Sequence, residues 1–410
     1  MSQSSLESLD ISNPSLYEND TWQEVAARLR AEDPVHYFES DINGPFWSVT
    51  THQLIKYVDT HHDLFSSANG VSIHEPPLDE NGKSEGIQNF IGMDPPKHSE
   101  QRAAVSPSVA PSNLANMEPL IRERVVDILD NLPIGEKFNW VEEVSIELTA
   151  RMLATLFDFP YGDRRKLVYW SDITTDVPEV TGSADYDIES RQKDFQECAE
   201  TFSQLWSERA AAPPKFDLIS MLAHGTTTKD MLHNPNLFLG NILLLIVGGN
   251  DTTRNSMSGG VVGLNQFPDQ YQKLRDNPGL IPNMVAEIIR WQTPVLHMRR
   301  NATRDLELGG KQIKKGDKVI MWYNSGNRDE TIFPDAERMI IDRNNARQHV
   351  AFGFGIHRCM GNRLAEMQLR VLWEEIMQRF SFVELAGNVV RLPNNFIRGI
   401  QEVPVILHPK

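Results

Sequence analysis

The chain has 410 residues, 40 Lys and Arg against 56 Asp and Glu, and a formal net charge of −16. That balance argues against a nucleic-acid-coating surface or an anionic-membrane binder, and two cysteines exclude a disulfide scaffold or a cysteine-rich zinc site. The length allows several domains, although no Ser/Gly linker, repeat or low-complexity tract divides the chain.

Residues 1–20 are polar and acidic, with neither a basic start nor an apolar stretch, so they read as a loose arm rather than a signal peptide. The strongest apolar run, Ile242 to Val247, is far below the roughly 20 residues that span a bilayer. The expectation is a cytoplasmic protein without a membrane span. Helical spacing runs from Thr21 to Arg30 and stops at Asp33-Pro34. Val35–Phe38 and Phe46–Thr50 flank an Asn-Gly-Pro turn and read as two strands. Asn69 to Lys97 carries eight Gly or Pro residues and is expected to form a surface lid. From Ser99 to Arg209 the pattern is mostly helical, broken near Pro107, Pro111, Pro133 and Pro160. The longest helix is predicted over Asn236 to Gln266, ended by Phe267-Pro268. Another runs from Pro282 to Trp291. Short strands at Leu306–Leu308 and Lys318–Tyr323 precede a last long helix, Met360 to Arg379, and a β-rich tail over Phe382 to Leu407. The prediction is one mainly α-helical domain, residues 21–410, with a small β-rich lobe.

The most informative stretch is Phe352-Gly353-Phe354-Gly355-Ile356-His357-Arg358-Cys359-Met360-Gly361. Its glycines let backbone approach a flat ligand and take unusual dihedrals. Cys359 sits just before a helix start, where N–H groups and the helix dipole favour a thiolate. Cys198 lies in a helical run without a motif and reads as a packing residue.

This stretch resembles the haem-thiolate loop of the cytochrome P-450 superfamily, and the resemblance covers about Asp20 to the C-terminus. It implies the superfamily's triangular-prism fold, with haem b (iron protoporphyrin IX) held between the long central helix and the helix after the cysteine. Within it, Cys359 is the axial iron ligand, and Phe352 and Gly353 belong to the haem loop. His357, His98, Arg102 and Arg300 are partners for the haem propionates, with Arg299 as the neighbouring alternative. His98 and Arg102 stand at i and i+4, so two donors share one helix face. Glu287 and Arg290, three residues apart with Arg290 69 residues before Cys359, match the superfamily's buried E-x-x-R pair, with Arg338 as its third member and Met339 replacing the usual aromatic.

Gly248-Gly249-Asn250-Asp251-Thr252-Thr253 breaks a local rule, because two glycines within a helix cost roughly 2 kcal/mol against alanine. Such violations are expected where function needs space. The resemblance makes this the oxygen-binding groove: Thr252 hydrogen-bonds dioxygen or its water, and Asp251 gates proton delivery. The residues matching substrate-contacting regions are mostly apolar. Val71, Ile73, Phe90, Ile91 and Met93 lie before the first haem-partner helix. Leu244, Val247 and Gly248 lie on the long helix, with Val295, Leu296, Met298 and Phe396 further on.

The run from Gly248 to Gly260, with His297-Met298-Arg299-Arg300, is similar to the soluble bacterial alkane terminal hydroxylases. That likeness implies terminal hydroxylation of medium-chain n-alkanes, and also of fatty acids or alcohols. The runner-up is a terminal hydroxylase of steroid side chains or branched lipids. A peroxygenase is expected to lack the Asp251-Thr252 pair, and a haem sensor to carry an added regulatory module. The resemblance further implies a monomer using O2 and electrons from a 2Fe-2S ferredoxin with its NAD(P)H-dependent reductase. Arg343, Arg347, Arg358 and Arg363, joined by Arg102 and Lys97, are the expected docking face on this acidic protein.

Overall fold

The computed structural model describes residues 5–74, 87–176 and 188–410. Twelve helices dominate this description: α1 (Trp22–Glu32), α2 (His52–Thr60), α3 (Lys97–Val105), α4 (Pro111–Asp130), α5 (Glu147–Phe157), α6 (Arg164–Thr175), α7 (Ile188–Ala211), α8 (Leu218–His224), α9 (Pro235–Gln266), α10 (Pro268–Asp276), α11 (Ile281–Gln292) and α12 (Asn362–Arg379). The main sheet takes β1 (Val35–Ser40), β2 (Gly44–Val49), β3 (Phe65–Ser66), β5 (His297–Ala302) and β6 (Lys318–Trp322), in the order β1-β2-β6-β5-β3. Among these described strands only β2 and β6 pair in parallel. A second sheet has β8 (Pro404–Pro409) between β4 (Lys137–Asn139) and β7 (Phe380–Leu385). Among the described residues no helix is long and apolar enough to cross a membrane.

The long helix begins where local chemistry demands. Asn234 caps it by accepting the Leu237 N–H, Pro235 occupies the first turn, and Phe267-Pro268 ends it. Its two halves serve two cores. The C-terminal half meets α4, α11 and α12 around Met257, Val261, Ile288, Trp373 and Ile376. The N-terminal half meets α6, α7 and α8 around Trp170, Phe202, Trp206, Ile242 and Ile246. Each fully buried aliphatic or aromatic side chain contributes about 1.5–3 kcal/mol, so α9 is the spine that both cores share. Cys198 is fully buried in the second core, and burial pushes its thiol far above the usual range, which makes it a packing residue.

Two expectations change here. Residues 5–20 are not a loose arm: Leu9, Ile11 and Tyr17 are buried against Trp22, Ile320 and Trp322. Ser12 accepts from Asn395 Nδ2 at 2.7 Å, and Asp20 pairs with Arg398 at 2.7 Å and Arg391 at 3.3 Å. The polar composition concealed three apolar anchors spaced through the arm. The lid expected over residues 69–97 lies partly outside the described residues, since 75–86 are not among them. Its two described ends are fastened. The Val71 carbonyl accepts from the Arg299 N–H at 2.7 Å, and the Phe90 N–H donates to Asn241 Oδ1 at 3.0 Å.

Candidate active site

Phe352 to Gly361 forms a tight turn whose Cys359 N–H donates to the Phe352 carbonyl at 2.8 Å. Gly353 and Gly355 both have φ of +64°, and a Cβ on Gly355 would lie 2.3 Å from the Asp59 carbonyl oxygen. Asp59, on α2, is the bolt under this turn. Its carboxylate accepts from the Phe354 N–H at 2.7 Å, the Tyr323 hydroxyl at 3.1 Å and Arg300 Nη2 at 2.9 Å. Sequence reading missed Asp59, because an acid near the end of an amphipathic helix gives no local signal.

The Cys359 side chain reaches accessible space, yet the protein around it is dense enough that burial raises its thiol pKa. The N–H groups of Gly361 and Asn362, at the start of α12, and the guanidiniums of Arg102 and Arg358 act in the opposite direction. Arg102 also donates from Nη2 to the Arg358 carbonyl at 2.6 Å.

Beside the cysteine stands a cluster of donors. The rings of His98 and His357 are 4.2 Å apart between centroids. Both ring nitrogens of His98 and Nδ1 of His357 are buried without a hydrogen-bond partner, while His357 Nε2 meets Ser67 Oγ at 3.1 Å. Burial, together with the charge of Arg102, lowers the pKa of His98; burial and the charge of Arg300 bring His357 down to about 2. Orphaned buried nitrogens normally mark a missing partner. Here they share one electropositive corner with two arginines and a thiol, which fits a flat metal complex carrying two carboxylates. Arg300 reaches this corner held by Asp59, and its Nη1 donates to the Arg299 carbonyl at 2.8 Å.

On α9, Leu244, Val247, Gly248 and Thr252 repeat at helical spacing and keep accessible surface, whereas Asn250 and Asp251 are buried on the far side. A Cβ on Gly248 would meet nothing within 4 Å. Thr252 Oγ1 donates back to the Gly248 carbonyl, one turn earlier on α9, at 3.0 Å. Asp251 points instead to Arg254 and Ser171. Adjacent in sequence, the acid and the alcohol are turned about 100° apart around the helix, the acid toward Arg254 and Ser171 and the alcohol toward the accessible face.

Of the residues expected around the substrate, Val71, Ile91, Met93, Val295, Met298 and Phe396 are partly accessible. Phe90 is nearly buried in the core of α6 to α9. Ile73 and Leu296 do not line accessible space: both are fully buried with Leu9, Ile11 and Trp322. The docked arm covers them, which is why an apolar residue at these positions reads as core.

The E-x-x-R pair is present, but its third member is corrected. Glu287 accepts from Arg290 at 2.7 and 2.8 Å and from Arg343 Nε at 3.1 Å, and Glu287 and Arg290 are wholly buried. Arg338 supplies only its carbonyl to Arg290, and its guanidinium pairs with Asp269 at the surface. Asp335, at φ +52°, turns the chain so that the Arg338 backbone faces inward and its side chain outward. Arg343 therefore leaves the expected docking face, being buried. Arg347, Arg358, Arg363 and Lys97 are exposed, and Arg347 and Arg363 edge a cleft of ≈ 180 Å³ beside α12. Met339 ends in space that Gly263 leaves free: a Cβ there would lie 2.2 Å from its Cε.

Residues 44–404 match the sequence family described as Cytochrome P450. The chain is 39% identical to a linalool 8-monooxygenase of Pseudomonas putida, covering 99% of this chain and 100% of that one. It is 29% identical to a methyl-branched lipid omega-hydroxylase of Mycobacterium tuberculosis, over 95% and 91% of the two chains. Among solved structures it resembles cytochrome P450-153 from Novosphingobium aromaticivorans, at 45% identity, a TM-score of 0.91, and coverage of 98% and 99%. The thiol on its glycine turn, the donor corner beside it and these matches lead to one conclusion: the chain belongs to the cytochrome P450 family, whose membership implies a haem cofactor and monooxygenase chemistry.

Proposed function

We propose that this protein hydroxylates the terminal carbon of medium-chain n-alkanes, fatty acids or alcohols, using O2 and electrons from a 2Fe-2S ferredoxin reduced by an NAD(P)H-dependent reductase. Cys359 would hold the iron of haem b through its thiolate, and His98, Arg102, Arg300 and His357 would hold the two propionates. Bound there, the haem supplies activation of dioxygen. The chain's own residues bind the substrate, orient it and move protons. Thr252 offers a hydroxyl on the accessible face of α9, and Asp251 is the acid that supplies it with protons.

The observation that supports this reading is the apolar stripe of Leu244, Val247 and Gly248 leading to Thr252 on the accessible face of α9; Val295, Met298 and Phe396, the other expected substrate contacts, are likewise apolar and partly accessible. An eight-carbon chain that buries each CH2 for about 0.8 kcal/mol gains roughly 6 kcal/mol without a polar anchor. That corresponds to a dissociation constant of about tens of micromolar. Terminal selectivity requires that the methyl end alone reach the reacting centre.

The second reading, a terminal hydroxylase of branched lipids or steroid side chains, draws on the likeness to the methyl-branched lipid omega-hydroxylase. Product analysis separates the two. Haem-loaded enzyme with NADH, a 2Fe-2S ferredoxin and its reductase is given n-octane, decanoic acid and a sterol in parallel. Octan-1-ol or 10-hydroxydecanoic acid as the major product supports the first reading. Oxidation of the sterol alone overturns it.

A further inference from the structure

Asp251 is completely buried, and each of its side-chain contacts holds it away from Thr252. Oδ1 accepts from Arg254 Nη2 at 2.5 Å and from Asn250 Nδ2 at 3.2 Å. Oδ2 accepts from Ser171 Oγ at 3.0 Å and from Thr175 Oγ1 at 3.4 Å, both on α6. Arg254 is itself buried, and its other terminal nitrogen lies 2.9 Å from Oδ1 of Asp172, also on α6. The Asp172 side chain is 48% exposed, whereas those of Asp251 and Arg254 are 0% and 10% exposed. One buried cation thus sits between a buried and a solvent-facing carboxylate.

We propose that Asp172 is a positioning residue for proton delivery: it keeps hold of Arg254 when Asp251 lets go, so that the buried acid can turn toward Thr252. The proposal rests on the reading of Asp251 as the proton-supplying acid. Without Asp172, release of Asp251 would leave a guanidinium buried with no counter-charge, and that cost would close the path. With Asp172 in place, Arg254 keeps one carboxylate throughout. The proton balance is simple. Solvent gives one proton to the Asp251 carboxylate, and the neutral acid turns and passes that proton to the hydroxyl side of Thr252. The carboxylate then returns to Arg254, which stays protonated at every stage.

A pH signature follows. Partial burial and the like charge of Asp251, with Glu142 adding a smaller contribution and Arg254 opposing, push the Asp172 carboxyl up to about 6. Neutral Asp172 no longer holds Arg254, so Asp251 is clamped again as pH falls through that value.

The test uses haem-loaded enzyme with n-octane, NADH, ferredoxin and reductase. Asp172→Asn is expected to lower coupled turnover about tenfold, less than the roughly hundredfold or more expected for removing the acid itself. It should also raise the solvent deuterium isotope effect and remove the fall in wild-type activity below about pH 6. Asp172→Glu should restore all three. Infrared difference spectra should show a carboxyl that protonates near pH 6 in the wild type and is missing in Asp172→Asn. If Asp251→Asn is slow while Asp172→Asn matches wild type in rate, isotope effect and pH profile, the inference fails and the role of Asp251 stands. If Asp251→Asn is as fast as wild type, the reading of Asp251 fails and takes the inference with it.

Discussion

Asp59 and Arg300 meet 2.9 Å apart, both buried, and join α2 to the first strand after α11 at the level of the cysteine turn. The same carboxylate holds the Phe354 N–H, so one side chain sets the position of both the turn and a neighbour of the donor corner. Arg300 thus arrives with one side of its guanidinium already anchored, and its charge bears on His98 and His357.

Breaking that anchor should loosen the turn. Asp59→Ala leaves a buried arginine unpaired and is expected to cost about 3–5 kcal/mol in urea unfolding. The fraction of protein giving the red-shifted Soret band of the reduced carbonyl complex should fall in step. Unchanged stability and an unchanged spectrum would remove Asp59 from this role.

Arg343 and Arg338 make opposite predictions. Arg343→Ala strips a buried partner from Glu287 and should lose about 3–5 kcal/mol. Arg338→Ala removes only a surface pair with Asp269 and should lose less than about 1 kcal/mol. Denaturation of the two variants side by side decides which arginine completes the cluster.

Two buried histidines set an acid limb of stability. Burial brings His297 and His349 each down to about 3 from an ordinary value of 6.5, so the folded protein keeps them neutral. The unfolded chain binds protons on both below pH 6.5, and stability therefore falls as pH drops from 6.5 toward 3. The expected slope is roughly 1.4 kcal/mol per pH unit for each histidine. Urea midpoints measured between pH 7.5 and 4.5 should show it, and a double variant, His297→Gln with His349→Gln, should be less stable at neutral pH but flatter. A slope identical to wild type in that variant would contradict the assignment.

Arg363 is exposed at the start of α12, beside the cleft it shares with Arg347. Arg363→Glu should raise the apparent KM for ferredoxin by roughly tenfold and blunt its dependence on salt, because encounter of oppositely charged faces is screened within about 10 Å at 0.1 M. The carbonyl spectrum should not move. An unchanged ferredoxin KM would place docking elsewhere.

What the sequence reveals depends on how local the cause is. The bounds of α9 were readable to within a residue, because a capping Asn, a Pro at the first turn and a Phe-Pro stop all lie next to it in sequence. The cysteine turn was readable for the same reason. Arg343 was not, since choosing it over Arg338 requires the left-handed turn at Asp335, which any loop of that composition could make or omit. Asp59 and Asp172 act on residues 241 and 82 positions away, and no periodicity carries such pairings. Ile73 and Leu296 were misread because an apolar residue on a pocket wall and one in a core have the same composition, and only the docked arm separates them.

That arm also bears on how the chain matures. Ser12 and Asn395 are 383 positions apart, and Asp20 and Arg398 are 378 apart. The polar ties of the arm therefore cannot form until Asn395 and Arg398 have been made. Its apolar anchors Leu9, Ile11 and Tyr17 pack on Trp22, Ile320 and Trp322, all of which come earlier in the chain. A chain cut short before Asn395 would keep that apolar packing but lose both polar ties at once, so two distant stretches of sequence close a single clasp over Ile73 and Leu296.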